Sequence, residues 1–160
     1  VSKAEIADWL LFYWLARLGK TVFVDRSKRH QVKTLIFEIE RRLNCDHSVI
    51  LFPEAQATDG VDVMPFKSAV FQAAVISNRS VVPVEIRYHD DHRPTIAYYG
   101  DSFINHILTL LKTPRLSTTV TVMPLIPAGR NRQTLAKKSY QAIHDNHKLT
   151  RPCDASHKQK

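Results

Sequence analysis

An α/β fold, with helices covering a mixed, mostly parallel sheet, is predicted from three observations. Short β-branched or wholly apolar runs recur at residues 21–24, 49–52, 81–86, 95–99 and 118–123, each of strand length. Between and around them, residues 3–18, 27–43, 66–76, 103–111 and 135–143 place apolar side chains near helical spacing. Alternation of strand and helix is the pattern of a sheet covered by helices. The chain has 160 residues, 44% of them hydrophobic and 24% charged, enough for one domain with a real core and unlike a disordered segment.

The first helix is read over residues 3–18, its stripe formed by Ile6, Trp9, Leu10, Tyr13, Trp14 and Leu18, with Gly19 as its stop. Residues 21–24 form a short strand. Ser27 is a candidate N-cap for the next helix, whose stripe is Val32, Leu35, Ile36, Ile39 and Leu43. Residues 49–52 are wholly apolar and end at Pro53, as in a buried parallel strand whose carboxyl end opens into a loop. A polar loop follows over 54–65. Residues 66–76 return to helical spacing through Ala69, Val70, Ala73 and Ala74, and 81–86 read as the next buried strand, with Pro83 at an edge or bulge. Strands at 95–99 and 118–123 flank a helix at 103–111, and a closing helix is expected over 135–143. From Lys148 onward the chain is polar and is expected to fray, so residues 1–147 are taken as the domain and 148–160 as a tail.

A net charge of +8 suits an anionic partner: nucleic acid, acidic lipid headgroups or a phosphorylated substrate. Aromatic residues here fall in apolar periods and do not alternate with basic ones, which argues against nucleic acid. Cys45 and Cys153 lie far apart with no Cys or His at metal-ligand spacing, so neither a disulfide framework nor a metal site is expected, and a reducing compartment is the simple reading. The stretch His89, Asp90, Asp91, His92 invites a metal reading, but a polar stretch after a strand and before Pro94 is read as a solvated turn. No apolar run reaches the roughly 20 residues that span a bilayer. Trp9, Phe12, Tyr13 and Trp14, flanked by Lys3, Arg17 and Lys20, suit either a core helix or a membrane interface. The chain opens on Val1 with no signal-peptide pattern and reads as a fragment.

Ligands of α/β sheets gather at the carboxyl ends of strands. Three segments sit there: Gly19 to Arg26, Phe52 to Gly60 with Lys67 behind it, and Val81 to Val84. Arg26 offers a planar fork that matches a phosphate bidentately, and Lys67 adds a point charge; an ion pair of Arg26 with Asp25 or another acid is the purely structural alternative. Glu54, placed after an apolar run and a proline, either accepts loop N–H groups or takes part in chemistry, and the residues alone favour the first.

In order and spacing these three segments resemble the second, third and fourth motifs of the glycerol-phosphate and lysophosphatidate acyltransferase family. Gly19, Phe23, Val24, Asp25 and Arg26 match the second motif with one extra residue after the glycine, Phe52, Pro53 and Glu54 match its Phe-Pro-Glu-Gly motif, and Val81, Val82, Pro83 and Val84 match its β-branched run around a proline. The resemblance implies a glycerolipid acyltransferase-like α/β fold, without metal or cofactor. It also implies transfer of an acyl group from acyl-CoA or acyl carrier protein to the hydroxyl of a lysophospholipid such as 1-acylglycerol 3-phosphate. Arg26, Phe52, Pro53, Glu54 and Lys67 would bind the substrate. A membrane-associated protein at the cytoplasmic face, with the membrane surface as a partner and no nucleic acid, is the expected setting.

Two departures stand out. Ala55 replaces the glycine that follows the glutamate, and Gln56 and Ala57 replace residues that usually carry hydroxyls, which points to an altered acceptor headgroup. A lyso-ornithine lipid is the alternative acceptor, and a non-catalytic anionic-lipid-binding module the alternative function. The family's first motif, a histidine with an aspartate five positions on, is absent: none of the eight histidines has an aspartate there. The general base on the acceptor hydroxyl is therefore expected upstream of Val1, and no catalytic residue is assigned within the chain.

Overall fold

The structure is a computed structural model that describes residues 2–3, 23–24, 31–56, 58, 61–88 and 103–150. The chain divides into two compact units. One comprises Val1–Pro53, Lys67–Val81 and Pro127–Ala136; the other comprises Glu54–Phe66, Val82–Ile126 and Lys137–Lys160.

In the first unit, β1 (Ser2–Lys3) pairs in parallel with β2 (Phe23–Val24), Ser2 opposite Phe23 and Lys3 opposite Val24. The strand expected at 21–24 is thus present at 23–24. Lys3, expected to open the first helix, is in a strand instead: it lies ahead of the apolar stripe, which begins only at Ile6. The rest of that helix, with Trp9 and Trp14, lies outside the described residues.

Helix α1 (Gln31–Asn44) follows the expected stripe except at Val32, which is exposed. Leu35 and Ile39 are buried against Ala73, and Ile36, Leu43, Val49, Leu51 and Val70 pack around them. Burying methyl-rich side chains at about 25 cal/mol per Å² is the main force holding such a helix in place. Its end is closed by a Schellman motif: Asp46 takes φ 57°, its N–H donates to Leu43 O (3.2 Å), and His47 N–H donates to Arg42 O (3.0 Å).

Residues 66–76 do not form one helix. Lys67 is extended (φ −72°, ψ 107°), a 3₁₀ turn covers Ser68–Phe71, and α2 covers only Gln72–Ile76. The Lys67 N–H is drawn to Pro53 O at 2.9 Å, which holds the chain extended there. Helix α2 ends as α1 does, with Asn78 at φ 48° and hydrogen bonds from Asn78 N–H to Val75 O and Arg79 N–H to Ala74 O. Arg79 joins the two caps through a 2.6 Å ion pair with Asp46.

The strand expected at 49–52 is not in a described ladder. Val49 and Leu51 turn to the core while Ile50 (76%) and Phe52 (68%) are exposed, so the run has a strand's period of two without the expected burial.

In the second unit, β3 (Val84–Tyr88) pairs antiparallel with β4 (Thr118–Val122), with Val84 opposite Val122, Ile86 opposite Val120 and Tyr88 opposite Thr118. The mostly parallel sheet expected from sequence is not what these ladders show: the parallel pair is two residues long and the longer ladder is antiparallel. Val-Glu-Ile-Arg-Tyr alternates apolar and polar residues where a buried parallel strand would be continuously apolar, and its burial is inverted, with Glu85 buried and Val84, Ile86 and Tyr88 facing outward. Pro83 precedes the strand, where it lacks no ladder donor, and its carbonyl accepts from Met123 N–H at 3.0 Å.

Helix α3 spans Phe103–Lys112, as expected. Helix α4 spans Arg132–Leu149, longer than expected at both ends and including Lys148. Asn131 caps it, its Oδ1 accepting from the N–H groups of Gln133 (2.7 Å) and Thr134 (3.3 Å). Residues 95–99 and the stretch His89 to His92 lie outside the described residues. No described helix is long and apolar enough to cross a membrane.

Candidate functional site

Phe52, Pro53 and Glu54 follow one another out of the apolar run. Phe52 stands exposed, Pro53 is half-buried, and the Pro53 carbonyl takes the Lys67 N–H, leaving the Lys67 side chain exposed. These contacts belong to the first unit. Arg26 lies outside the described residues; what is described is β2, which ends two residues before it.

In the second unit, Glu54 is half-buried, and its Oε2 accepts the Met64 N–H at 3.0 Å across ten residues. One carboxylate lone pair thereby closes the loop Glu54–Phe66, and a hydrogen bond to a charged acceptor is stronger than a neutral one. Ala55 is at φ 60°, in the left-handed region where a side chain strains the backbone and glycine does not. The glycine of the resembling motif thus has a conformational counterpart here, occupied by alanine.

A second polar cluster in this unit was not legible in the sequence. Glu85 is 6% exposed, its Oε1 lies 2.8 Å from His147 Nδ1 and accepts from Arg87 at 2.9 Å, and its Oε2 accepts from the Asn146 amide. Burial pushes the Glu85 carboxyl up, but the hydrogen bonds from His147, Asn146 and Arg87 outweigh it and hold the group below the usual carboxylate range. Arg87 also donates to the carbonyls of His147 (3.1 Å) and Thr150, so it closes the last turn of α4, where a cation is favoured by the exposed carbonyls. The Nε2 of His147 lies 3.0 Å from Val61 O, on the same loop that Glu54 closes. Two signals were available: an acid and a base on the buried face of β3, and histidine at the end of an amphipathic helix. Their partners are about 60 residues apart in sequence, and only folding brings them together.

The sequence model of the acyltransferase family matches residues 1–87, which include Arg26, the Phe52-Pro53-Glu54 segment and Lys67. The lyso-ornithine lipid O-acyltransferase of Rhodobacter capsulatus is 34% identical over 123 residues, covering 72% of this chain and 44% of that protein. The 1-acyl-sn-glycerol-3-phosphate acyltransferase of Neisseria gonorrhoeae is 31% identical over 105 residues, covering 62% of this chain and 41% of that one. The chain therefore spans about half the length, or less, of these curated relatives. The crystal structure of the 1-acyl-sn-glycerophosphate acyltransferase PlsC from Thermotoga maritima superposes with a TM-score of 0.66 at 18% identity, over 94% of this chain and 56% of that one, which speaks for the fold. With three of the motifs present in order and the family model covering more than half of its residues, this chain belongs to the acyltransferase family.

Proposed function

We propose that the protein transfers a fatty acyl group from an acyl thioester, acyl-CoA or acyl carrier protein, to the hydroxyl of a lysophospholipid such as 1-acylglycerol 3-phosphate. The observation that carries this is the Phe52-Pro53-Glu54 segment of an acyltransferase chain, leading into a loop that the Glu54 carboxylate itself ties down at Met64. In this reading Arg26 holds the acceptor phosphate by charge-assisted hydrogen bonds, Lys67 adds positive charge, Phe52 and Pro53 line the acceptor's path, and Glu54 orders the loop. Residues 1–160 contain no histidine with an aspartate five positions on, so no general base is assigned among them. The acyltransferase domain is assigned to residues 1–147, with 148–160 as a tail. The remaining strands are taken to complete a mostly parallel sheet. Work at the cytoplasmic face of a membrane accords with the net charge of +8, which favours anionic lipid.

A lyso-ornithine lipid is the second acceptor reading. Ala55 occupies the φ 60° position of the loop, and the relative from Rhodobacter capsulatus matches over a longer stretch than the one from Neisseria gonorrhoeae. The complete protein, given a labelled acyl thioester and each acceptor in turn, decides between them. Arg26→Ala is expected to lower kcat/KM for the phosphate acceptor by about 1.5–3 kcal/mol, through loss of a hydrogen bond to a charged group. Unchanged acceptor kinetics would remove Arg26 from the site, and transfer to neither acceptor would leave the chain a lipid-binding module.

A further inference from the structure

The loop Glu54–Phe66 is held by more than Glu54. One face of α4 carries Tyr140, His144 and His147 at positions i, i+4 and i+7. Tyr140 packs edge-on against Phe66 at 5.6 Å between ring centroids, and it stacks on His144 at 5.1 Å. One turn further on, His147 Nε2 reaches Val61 O at 3.0 Å. The other ring nitrogen, Nδ1, faces the buried Glu85 carboxylate at 2.8 Å, which fixes the ring plane and aims Nε2 at the loop. Both neighbours of the ring, the Glu85 carboxylate and the Val61 carbonyl, are acceptors, so the ring holds both with a proton on each nitrogen.

We propose that His147, with a proton on each ring nitrogen, is a positioning residue of the acceptor site: it donates from Nδ1 to Glu85 and from Nε2 to the Val61 carbonyl, and so holds the loop that Glu54 closes at Met64. The proposal rests on the reading of residues 54–66 as the acceptor loop. It assigns a role in acceptor use to the end of α4, more than 80 residues along the chain from the loop it holds.

Two conservative replacements separate the ring's two ends. The amide of glutamine extends far enough to replace a donor at Nε2, whereas that of asparagine replaces a donor at Nδ1 and stops short. In the complete protein, His147→Asn keeps the partner of Glu85 and loses the hold on Val61, while His147→Gln keeps the hold. Amide exchange across residues 61–64, read by mass spectrometry, is expected to quicken about 3- to 10-fold in His147→Asn and to stay near the unmutated rate in His147→Gln, as one lost hydrogen bond predicts. Acceptor KM, measured with lysophosphatidate and with lyso-ornithine lipid, is expected to rise by a similar factor in His147→Asn, with kcat little changed, and to recover in His147→Gln. Equal exchange in the two variants overturns the proposal. Faster exchange in His147→Asn at unchanged KM for both acceptors overturns the positioning role by removing the loop from acceptor binding, which is the failure of the underlying reading and not of the hydrogen bond. Should a variant not fold, the unmutated protein labelled with ¹⁵N-histidine serves: a slowly exchanging Nε2 proton on His147 supports the hold, and its absence overturns it.

Discussion

Ala55 carries a backbone strain that its own side chain creates. At φ 60° the Cβ crowds the following carbonyl, a cost of roughly 1–2 kcal/mol that glycine avoids. Glycine loses more freedom on folding, by roughly 0.4–1 kcal/mol, so Ala55→Gly is expected to stabilise the protein by a net amount of about 0.5–1 kcal/mol. Ala55→Val, with a β-branched side chain at the same φ, is expected to cost about 1–2 kcal/mol. Urea unfolding of the three proteins checks both signs; a stabilised valine variant would mean that Ala55 is not left-handed in solution. Glu54 beside it shows how little separates structure from function at this scale. The carboxylate that accepts the Met64 N–H has a second oxygen, so ordering the loop does not exhaust what it can bind.

Helix α1 shows the same economy at the scale of an element. Glu38 receives Arg41 at 2.8 and 3.0 Å and Arg42 at 3.1 Å, one and the same carboxylate serving the i+3 and i+4 positions. The hydrogen bonds from Arg41 and then Arg42 hold its pKa down to about 2. A carboxyl lowered in the folded state contributes stability above its unfolded value, about 4.3, and that contribution disappears as pH falls toward the folded value. Glu38→Gln is therefore expected to destabilise the protein at pH 7 by about 0.3–1 kcal/mol, the range for exposed ion pairs, and to match the unmutated protein near pH 2. Melting temperatures of the two proteins between these limits give the test; a gap that does not close on acidification would assign the loss to helix propensity. Glu85 is likewise held below the usual carboxylate range and ties β3 to the end of α4.

For the whole molecule, a charge of +8 on 160 residues sets the range and the salt dependence of any attraction to an anionic membrane. Screening shortens that range from about 30 Å at 0.01 M salt to about 8 Å at 0.15 M, and each basic residue near the surface contributes about 1 kcal/mol. Binding to vesicles rich in phosphatidylserine is expected to weaken several-fold across that span, as read by co-sedimentation. Salt-independent binding would point to apolar insertion, for which Trp9 and Trp14 are the sequence's candidates.

The sequence by itself determined the local and periodic features. The stripe Leu35, Ile36, Ile39, Leu43 is a property of consecutive residues, and so are the strand read at 118–123 and found at 118–122, the helix read at 103–111 and found at 103–112, and the Phe52-Pro53-Glu54 segment that resembles the family's motif. It did not determine how strands pair, because direction depends on partners and not on the run itself: 81–86 read as a buried strand of a mostly parallel sheet, yet the strand runs over Val84–Tyr88 in an antiparallel ladder, with Val84, Ile86 and Tyr88 outward. Nor did it show that residues 66–76 break at Lys67, since the Pro53 carbonyl that holds this N–H is 14 positions away. The reach of His147 from Glu85 to the loop at Val61 was decided by tertiary structure alone, because hydrogen bonds between groups 62 and 86 residues apart leave no periodicity for a sequence to display.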